Sequence, residues 1–428
     1  MALTRMALTG YRCFAQRQDI ELCPVTVVLG RNNSGKSALV RAPLVCETGV
    51  RTNSPAPFDL DVLSEGILES FTDLVYAKRP QGSVEIELEF DGAAGPAKLT
   101  ATVQHIDEYQ TQVVSSLRSQ AGGVVTTVDW EPREPREPPE RVRYTVRSGD
   151  QVSRRRPVLF RGLLPAGVPQ GGVPDQLMSG LLTTARAIRD SYPTVRYLGP
   201  FRDRPARRHR LPARMPTDVG VGGERIASIL ADDIARRQGR LIRQVNQGLT
   251  DNLPGWRVDV VERGGMYSVM LTSRDDDTLR VNLADSGTGV AQALPIFVQR
   301  ALDALSPPRG PVLEIVEQPE LHLHPAAHGA LADLYLNATR YTGVRFLIET
   351  HSETLLLRLR RRIAEGLDPG TVAIYFVEHG DGTARAQRIG IDPDGDLDYW
   401  PTGVFTEDYE ETQALAVAQL RRQDTGAR

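Results

Sequence analysis

Val25-Thr-Val-Val-Leu29 is a short β-branched apolar run that stops at Gly30, and Ala38-Leu39-Val40 soon resumes it. This pattern predicts a buried strand, a glycine loop and a helix. From Ser83 the period changes to two. Ser83-Val-Glu-Ile-Glu-Leu-Glu-Phe90 alternates cleanly, and Lys98–Ile106, Val124–Trp130 and Arg141–Arg147 follow suit. These are expected to be half-buried antiparallel strands. Glu131–Pro139 reads as a stiff proline-rich connector, and 52–66 and 165–174 as loops. Helical spacing appears in 176–190 and in Glu224–Leu249. A hairpin follows, Trp256–Val261 and Met266–Thr272 around Gly264-Gly265, and then Leu279–Leu283. The last third alternates strands (Val312–Val316, Arg345–Ile348, Val372–Val377) with helices, the pattern of a mostly parallel sheet. Solenoid periods and long heptad runs are absent from the sequence, so no extended coiled-coil arm is expected.

Composition narrows the class. The 428 residues are 40% apolar and 25% charged, ordinary globular values that exclude wholesale disorder and leave enough chain for a sizeable core. No window of 18 consecutive apolar residues exists, so no membrane-spanning helix is expected. The first residues lack the apolar stretch of a signal peptide. Cys13, Cys23 and Cys46 form no CxxC pair, which fits a reducing cytosol and a cytoplasmic protein. Net charge is −3, so the chain as a whole is no polycation. Its basic side is nearly all arginine, 48 residues against the three lysines Lys36, Lys78 and Lys98, so the position of a retained lysine is informative.

The chemistry concentrates in a few segments. Gly30-Arg-Asn-Asn-Ser-Gly-Lys-Ser37 matches G-x-x-x-x-G-K-[ST]. Gly30, Asn32, Asn33, Ser34 and Gly35 would turn backbone N–H groups toward phosphate oxygens, Lys36 would reach the β- and γ-phosphates, and the Ser37 hydroxyl would bind Mg²⁺. The strand Val312–Val316 ends in Glu317-Gln318-Pro-Glu320. A phosphate-loop NTPase needs an acid there to hold Mg²⁺, and Glu317 occupies that place. The next position normally polarises the attacking water. Gln318 can orient water without taking its proton, and Glu320 could serve instead. Asp285-Ser286-Gly287-Thr288-Gly289 precedes a helix and could present N–H groups and a hydroxyl to a phosphate, or simply cap the helix. Phe346-Leu-Ile-Glu-Thr-His351 is a strand ending near a histidine.

The order of these segments resembles the ABC-type ATPase head shared by SMC, RecF and OLD-like ATPases. Leu8-Thr-Gly-Tyr-Arg12-Cys-Phe14 is similar to the opening of such heads, which implies that Arg12 lies near the nucleotide. Glu317-Gln-Pro-Glu-Leu-His-Leu-His-Pro325, Thr350-His-Ser-Glu-Thr-Leu-Leu-Leu-Arg358, Trp400-Pro-Thr-Gly-Val-Phe405 and Tyr197-Leu-Gly-Pro-Phe-Arg202 look most like a bacterial group of single-head AAA-annotated ATPases. The resemblance covers both ends and most of the chain outside 83–175. It implies an α/β fold: a P-loop NTPase head with a mostly parallel core sheet, an antiparallel β subdomain and a helical subdomain. The expected divisions are a head segment with the phosphate loop (1–82), a β-rich insertion (83–175), a helical subdomain with an arginine-rich loop (176–250), the rest of the head (251–390) and an extension (391–428). It also implies an ATP-dependent homodimer in which Ser286, Gly287 and Gly289 face the γ-phosphate held by the other copy, His351 senses that phosphate and Glu317 holds Mg²⁺. By analogy the partners are DNA or a nuclease or other effector, in phage defence or DNA maintenance.

Two functions from different classes remain open at this stage. One is an ATPase, slowed because Gln318 replaces the usual glutamate. The other is a non-hydrolysing ATP-sensing scaffold that assembles an effector. Arg202, Arg204, Arg207, Arg208 and Arg210 form a dense basic loop that could track nucleic-acid phosphates or be an ordinary solvated loop. His322, His324 and His328 could suggest zinc, but no cysteine is near. Asp392–Asp398 fails the calcium-loop template and reads as an acidic turn.

Overall fold

The computed structural model describes residues 2–63, 67–91, 95–106, 111–131, 142–169, 173–252, 255–400 and 407–426. Its centre is a six-stranded sheet, in the order Thr194–Leu198, Val312–Glu317, Arg345–Glu349, Val25–Gly30, Val372–Gly380, Thr383–Ile389. The first five strands run parallel and the last is antiparallel. Val25–Gly30 is buried along its whole length, as a continuous apolar run in a covered parallel sheet should be. Its side chains alternate between two cores. Val28 enters one, while Val25, Val27 and Leu29 enter the other.

The first core lies against an eight-stranded antiparallel sheet, in the order Gln18–Glu21, Ala2–Thr9, Ser83–Asp91, Ala97–Ile106, Thr111–Ala121, Val124–Glu131, Arg143–Ser148, Gln151–Arg156. Helix Asp175–Ser191 covers it with Leu177, Leu181, Ala185 and Ile188, one face at helical spacing. Ala2–Thr9 pairs with Ser83–Asp91 from Ala2↔Asp91 to Thr9↔Glu85, so the antiparallel sheet formed by 83–156 also includes the N-terminal strands.

The second core gathers helices Ile226–Arg237, Arg240–Asn252 and Thr288–Leu305 around the hairpin Trp256–Arg263 and Met266–Ser273. Within 176–250, the helix Asp175–Ser191 packs on the first core and the helices Ile226–Arg237 and Arg240–Asn252 on the second. The start of the loop expected at 165–174 is corrected: Leu164–Gly167 pairs with Leu159–Arg161. Most of the proline-rich connector (132–139) and most of the Trp400–Phe405 element (401–405) lie outside the described residues. Among the described residues no helix is long and apolar enough to cross a membrane.

Candidate functional site

The phosphate loop bends where only glycine is comfortable. Gly30 has φ +147° and Gly35 φ +108°. A Cβ on Gly30 would stand 2.2 Å from the Val377 carbonyl oxygen, and one on Gly35 would stand 2.6 Å from Cys13 Sγ. The loop is thus pressed between the last parallel strand and the Arg12–Phe14 turn. It opens onto a cavity of about 590 Å³ whose lining includes Arg12, Asn32, Asn33, Gly35, Lys36, Ser37, Asp73, Lys78, Gln318, Glu349 and His351. Five of the nine non-glycine residues with positive φ among the described residues (Arg12, Asn33, Ala77, Lys78 and Gln318) line it. Backbone strain of that kind gathers at ligand sites.

The walls come from five segments of the chain. The Lys36 ammonium is buried and donates to the Arg31 carbonyl at 2.7 Å. Burial pushes its pKa down, and Glu349 opposes that shift. Ser34 is buried, and its hydroxyl has no partner among the described residues. On the opposite wall, the Arg12 N–H donates to the Leu74 carbonyl at 2.7 Å and the Ala77 N–H to the Arg12 carbonyl at 3.3 Å. This zips the turn to the segment carrying Asp73 and Lys78, whose side chains pair at 2.8 Å. The Lys78 ammonium holds the Asp73 carboxyl down at about 2.

The acidic strand reaches the same region but differs from expectation. Glu317 does not line the cavity. Arg41 grips its carboxylate with two bonds, Nε to Oε1 at 2.5 Å and Nη2 to Oε2 at 2.7 Å, and the Tyr197 hydroxyl donates to Oε1 at 3.1 Å. The acid that faces the loop is Glu349, at the end of Arg345–Glu349. Strand order explains this. Arg345–Glu349 lies between the acidic strand and Val25–Gly30, with Glu349 in register with Glu317 on one side and Val28 on the other. Burial first and Glu317 second push the Glu349 carboxyl up to about 7, against a hydrogen bond from Ser37 and the charges of Lys36 and Arg41. Its Oε2 is buried without a partner among the described residues.

Gln318 lines the cavity, and its N–H donates to the Glu349 carbonyl at 2.7 Å. Glu320 braces the turn after the histidine strand: its Oε1 accepts the His351 N–H at 2.7 Å, while its buried Oε2 has no partner among the described residues. Burial and then the Lys36 charge lower the His351 pKa, favouring the neutral ring.

The glycine-serine turn lies away from this cavity. The Ser286 hydroxyl donates to the Leu283 carbonyl at 2.8 Å, and Gly287 is exposed at the start of Thr288–Leu305. Gly289 has a packing role, since a Cβ there would meet the His322 carbonyl oxygen at 2.8 Å. The arginine loop is not one uniform basic face. Arg202 is buried; its guanidinium donates to the Pro200, Gln318 and Glu317 carbonyls and braces the end of the acidic strand. It is withdrawn from any phosphate-tracking surface. Arg207 forks onto Asp285 at 2.7 and 2.5 Å and steadies the glycine-serine turn. Arg204, Arg208 and Arg210 are exposed. His324 caps the helix Pro325–Thr342, and His328 Nδ1 lies 2.8 Å from the Ser352 hydroxyl.

Sequence reading missed Glu349 and Arg41. Glu349 carries the same signal as Glu317, an acid ending an apolar strand. Nothing local marks Arg41.

Ser37 and the orphaned Glu349 oxygen are hard oxygen donors, the kind a magnesium ion takes. Among the described residues no three His, Cys, Asp or Glu side chains gather as a metal site.

An SMC head, solved bound to the C-winged helix domain of ScpA, aligns over 91% of this chain and 98% of its own, at 13% identity and TM-score 0.50. The chain has the fold of an SMC-like ABC-type ATPase head. The SMC head domain from Thermotoga maritima covers 91% of this chain and 100% of its own, at 13% identity and TM-score 0.44. An Smc head with an extended coiled coil, bound to the C-terminal domain of ScpA derived from Pyrococcus furiosus, covers 91% and 96%, at 12% identity and TM-score 0.46. Residues 367–415 match a family described as a protein of unknown function (DUF3696). No curated protein matches the sequence.

Proposed function

We propose that the protein binds ATP with Mg²⁺ in the loop cavity, and that ATP-bound heads pair as a homodimer and hydrolyse the nucleotide slowly. One observation carries this reading: the Gly30–Ser37 loop, Gln318, Glu349 and His351 converge on a single cavity from segments hundreds of residues apart. The loop N–H groups and the end of the following helix would cradle the phosphates. Lys36 would leave the Arg31 carbonyl for a phosphate oxygen. Ser37 and a neighbouring carboxylate would hold a magnesium ion, whose positive charge would offset the negative charge of the phosphates. Gln318 orients the attacking water, and neutral His351 offers a hydrogen bond at the γ end. Ser286 and Gly287 of a second copy would close the site, which fits their exposure outside the cavity of their own chain.

The test is equilibrium binding of a fluorescent ATP analogue. Lys36→Ala should abolish binding and nucleotide-dependent dimerisation. Unchanged affinity in that variant overturns the reading.

A scaffold that senses ATP without turning it over is favoured by one feature: Gln318 cannot take a proton, and one Glu320 oxygen is committed to the His351 N–H. Steady-state phosphate release separates the two. Turnover that falls in Glu320→Gln supports the enzyme, and nucleotide-dependent dimers without turnover support the scaffold. DNA contact is proposed only for Arg204, Arg208 and Arg210. A nuclease or other effector partner, phage defence or DNA maintenance, and a reducing cytoplasmic setting belong to the same proposal.

A further inference from the structure

Two carboxylates end neighbouring strands side by side, and the structure treats them differently. Both oxygens of Glu317 are taken by the Arg41 fork, Tyr197 adds a third bond, and the residue is 1% exposed. The Arg41 guanidinium also lies over the Tyr197 ring, 5.6 Å from its centroid. Freeing Glu317 for a cation would strip the half-buried Arg41 of its only ion pair among the described residues. Breaking a buried pair in that way is strongly unfavourable. Glu349 presents the opposite case. It lines the cavity with Lys36 and Ser37, Ser37 hydrogen-bonds to it, and its Oε2 is buried with no partner among the described residues. A magnesium ion bound with a nucleotide typically uses one or two protein carboxylates and takes its other oxygens from phosphates and water. A single available acid beside the loop serine meets that need.

We propose that Glu349, with Ser37, is the carboxylate that receives the divalent cation of the bound nucleotide, and that Arg41 is the permanent counter-ion of Glu317. Glu317 then acts structurally, holding the helix after the phosphate loop against the acidic strand. This inference rests on the nucleotide-binding reading above.

The test uses the full chain and two readouts that do not depend on turnover. A fluorescent ATP analogue is titrated in EDTA and in Mg²⁺, and Mn²⁺ binding to the complex with a non-hydrolysable ATP analogue is followed by electron paramagnetic resonance. Glu349→Gln should still bind nucleotide in EDTA, yet lose Mg²⁺ enhancement and Mn²⁺ affinity by at least about tenfold. The paired change Arg41→Gln with Glu317→Gln removes both charges together and should keep the Mg²⁺ enhancement. Full enhancement and wild-type Mn²⁺ affinity in Glu349→Gln would overturn the proposal. So would their loss in the paired variant, provided that it keeps the wild-type circular dichroism spectrum and binds nucleotide in EDTA. If the paired variant fails to fold, Glu349→Gln decides alone. Wild-type protein that binds no nucleotide in either medium would refute the nucleotide reading itself, a different result.

Discussion

At the scale of single residues, burial sets the behaviour of the site. The Glu349 carboxyl is pushed up from an ordinary value of 4.5 to about 7. Between those values the folded state holds a proton that the unfolded chain has lost, so stability falls as pH rises through the interval. Glu349→Gln removes the charge. It should stabilise the nucleotide-free protein on the order of 3 kcal/mol near pH 8, and the gain should vanish near pH 4. Urea unfolding at both ends of that range checks it, and a gain independent of pH would contradict it. Gly35 makes the complementary case. An alanine there would need φ +108° and would push its Cβ to 2.6 Å from Cys13 Sγ. Gly35→Ala should cost about 1–3 kcal/mol and lower the melting temperature, read by calorimetry. The need for glycine at 30 and 35 was legible in the motif. The identity of the available acid was not, because Glu317 and Glu349 look alike in sequence and differ only in what packs beside them.

At the scale of elements, periodicity found most of what it could find. Val25–Gly30, Ser83–Asp91 and Val312–Glu317 stand close to where the pattern put them. The strand Thr111–Ala121 escaped notice for a physical reason. A register shift against its neighbour puts Val113 and Val114 both inside and breaks the alternation. Further along, Ser119 is buried and satisfied by a hydrogen bond to Thr184 of the covering helix, so polarity there does not mean exposure. The helix expected over 224–249 is two helices, because Gln238 (φ +59°) and Gly239 (φ +68°) both turn left-handed. Ser352 starts the helix Glu353–Ala364 by accepting the Leu355 N–H at 3.0 Å. Ser352→Ala should cost about 1 kcal/mol in thermal unfolding. No measurable loss would show that the cap does not hold this helix.

At the scale of the whole molecule, the phosphate-loop strand is shared by both cores, so neither core closes without it. The site on that strand is also only half of what the proposed reaction needs. Ser286 sits outside the cavity of its own chain, at a half-exposed turn steadied by the Arg207–Asp285 fork. If a second copy supplies it, Ser286→Arg should bind the ATP analogue as wild type does and fail to dimerise with it, measured by light scattering. Normal dimers in that variant would remove the proposed trans contact.

Local order along the chain already held the phosphate loop, the succession of motifs and the parallel α/β core. Glycine conformation, strand burial and helix caps are decided within a few residues, so a sequence can announce them. Folding alone decided that the first strands complete the antiparallel sheet, that Arg202 turns inward, and that Arg41 takes Glu317 while Glu349 stays open to the cavity. Those outcomes depend on which strands become neighbours across hundreds of residues and on which buried charge finds a partner first. Pairings at that distance leave no periodic trace in the chain.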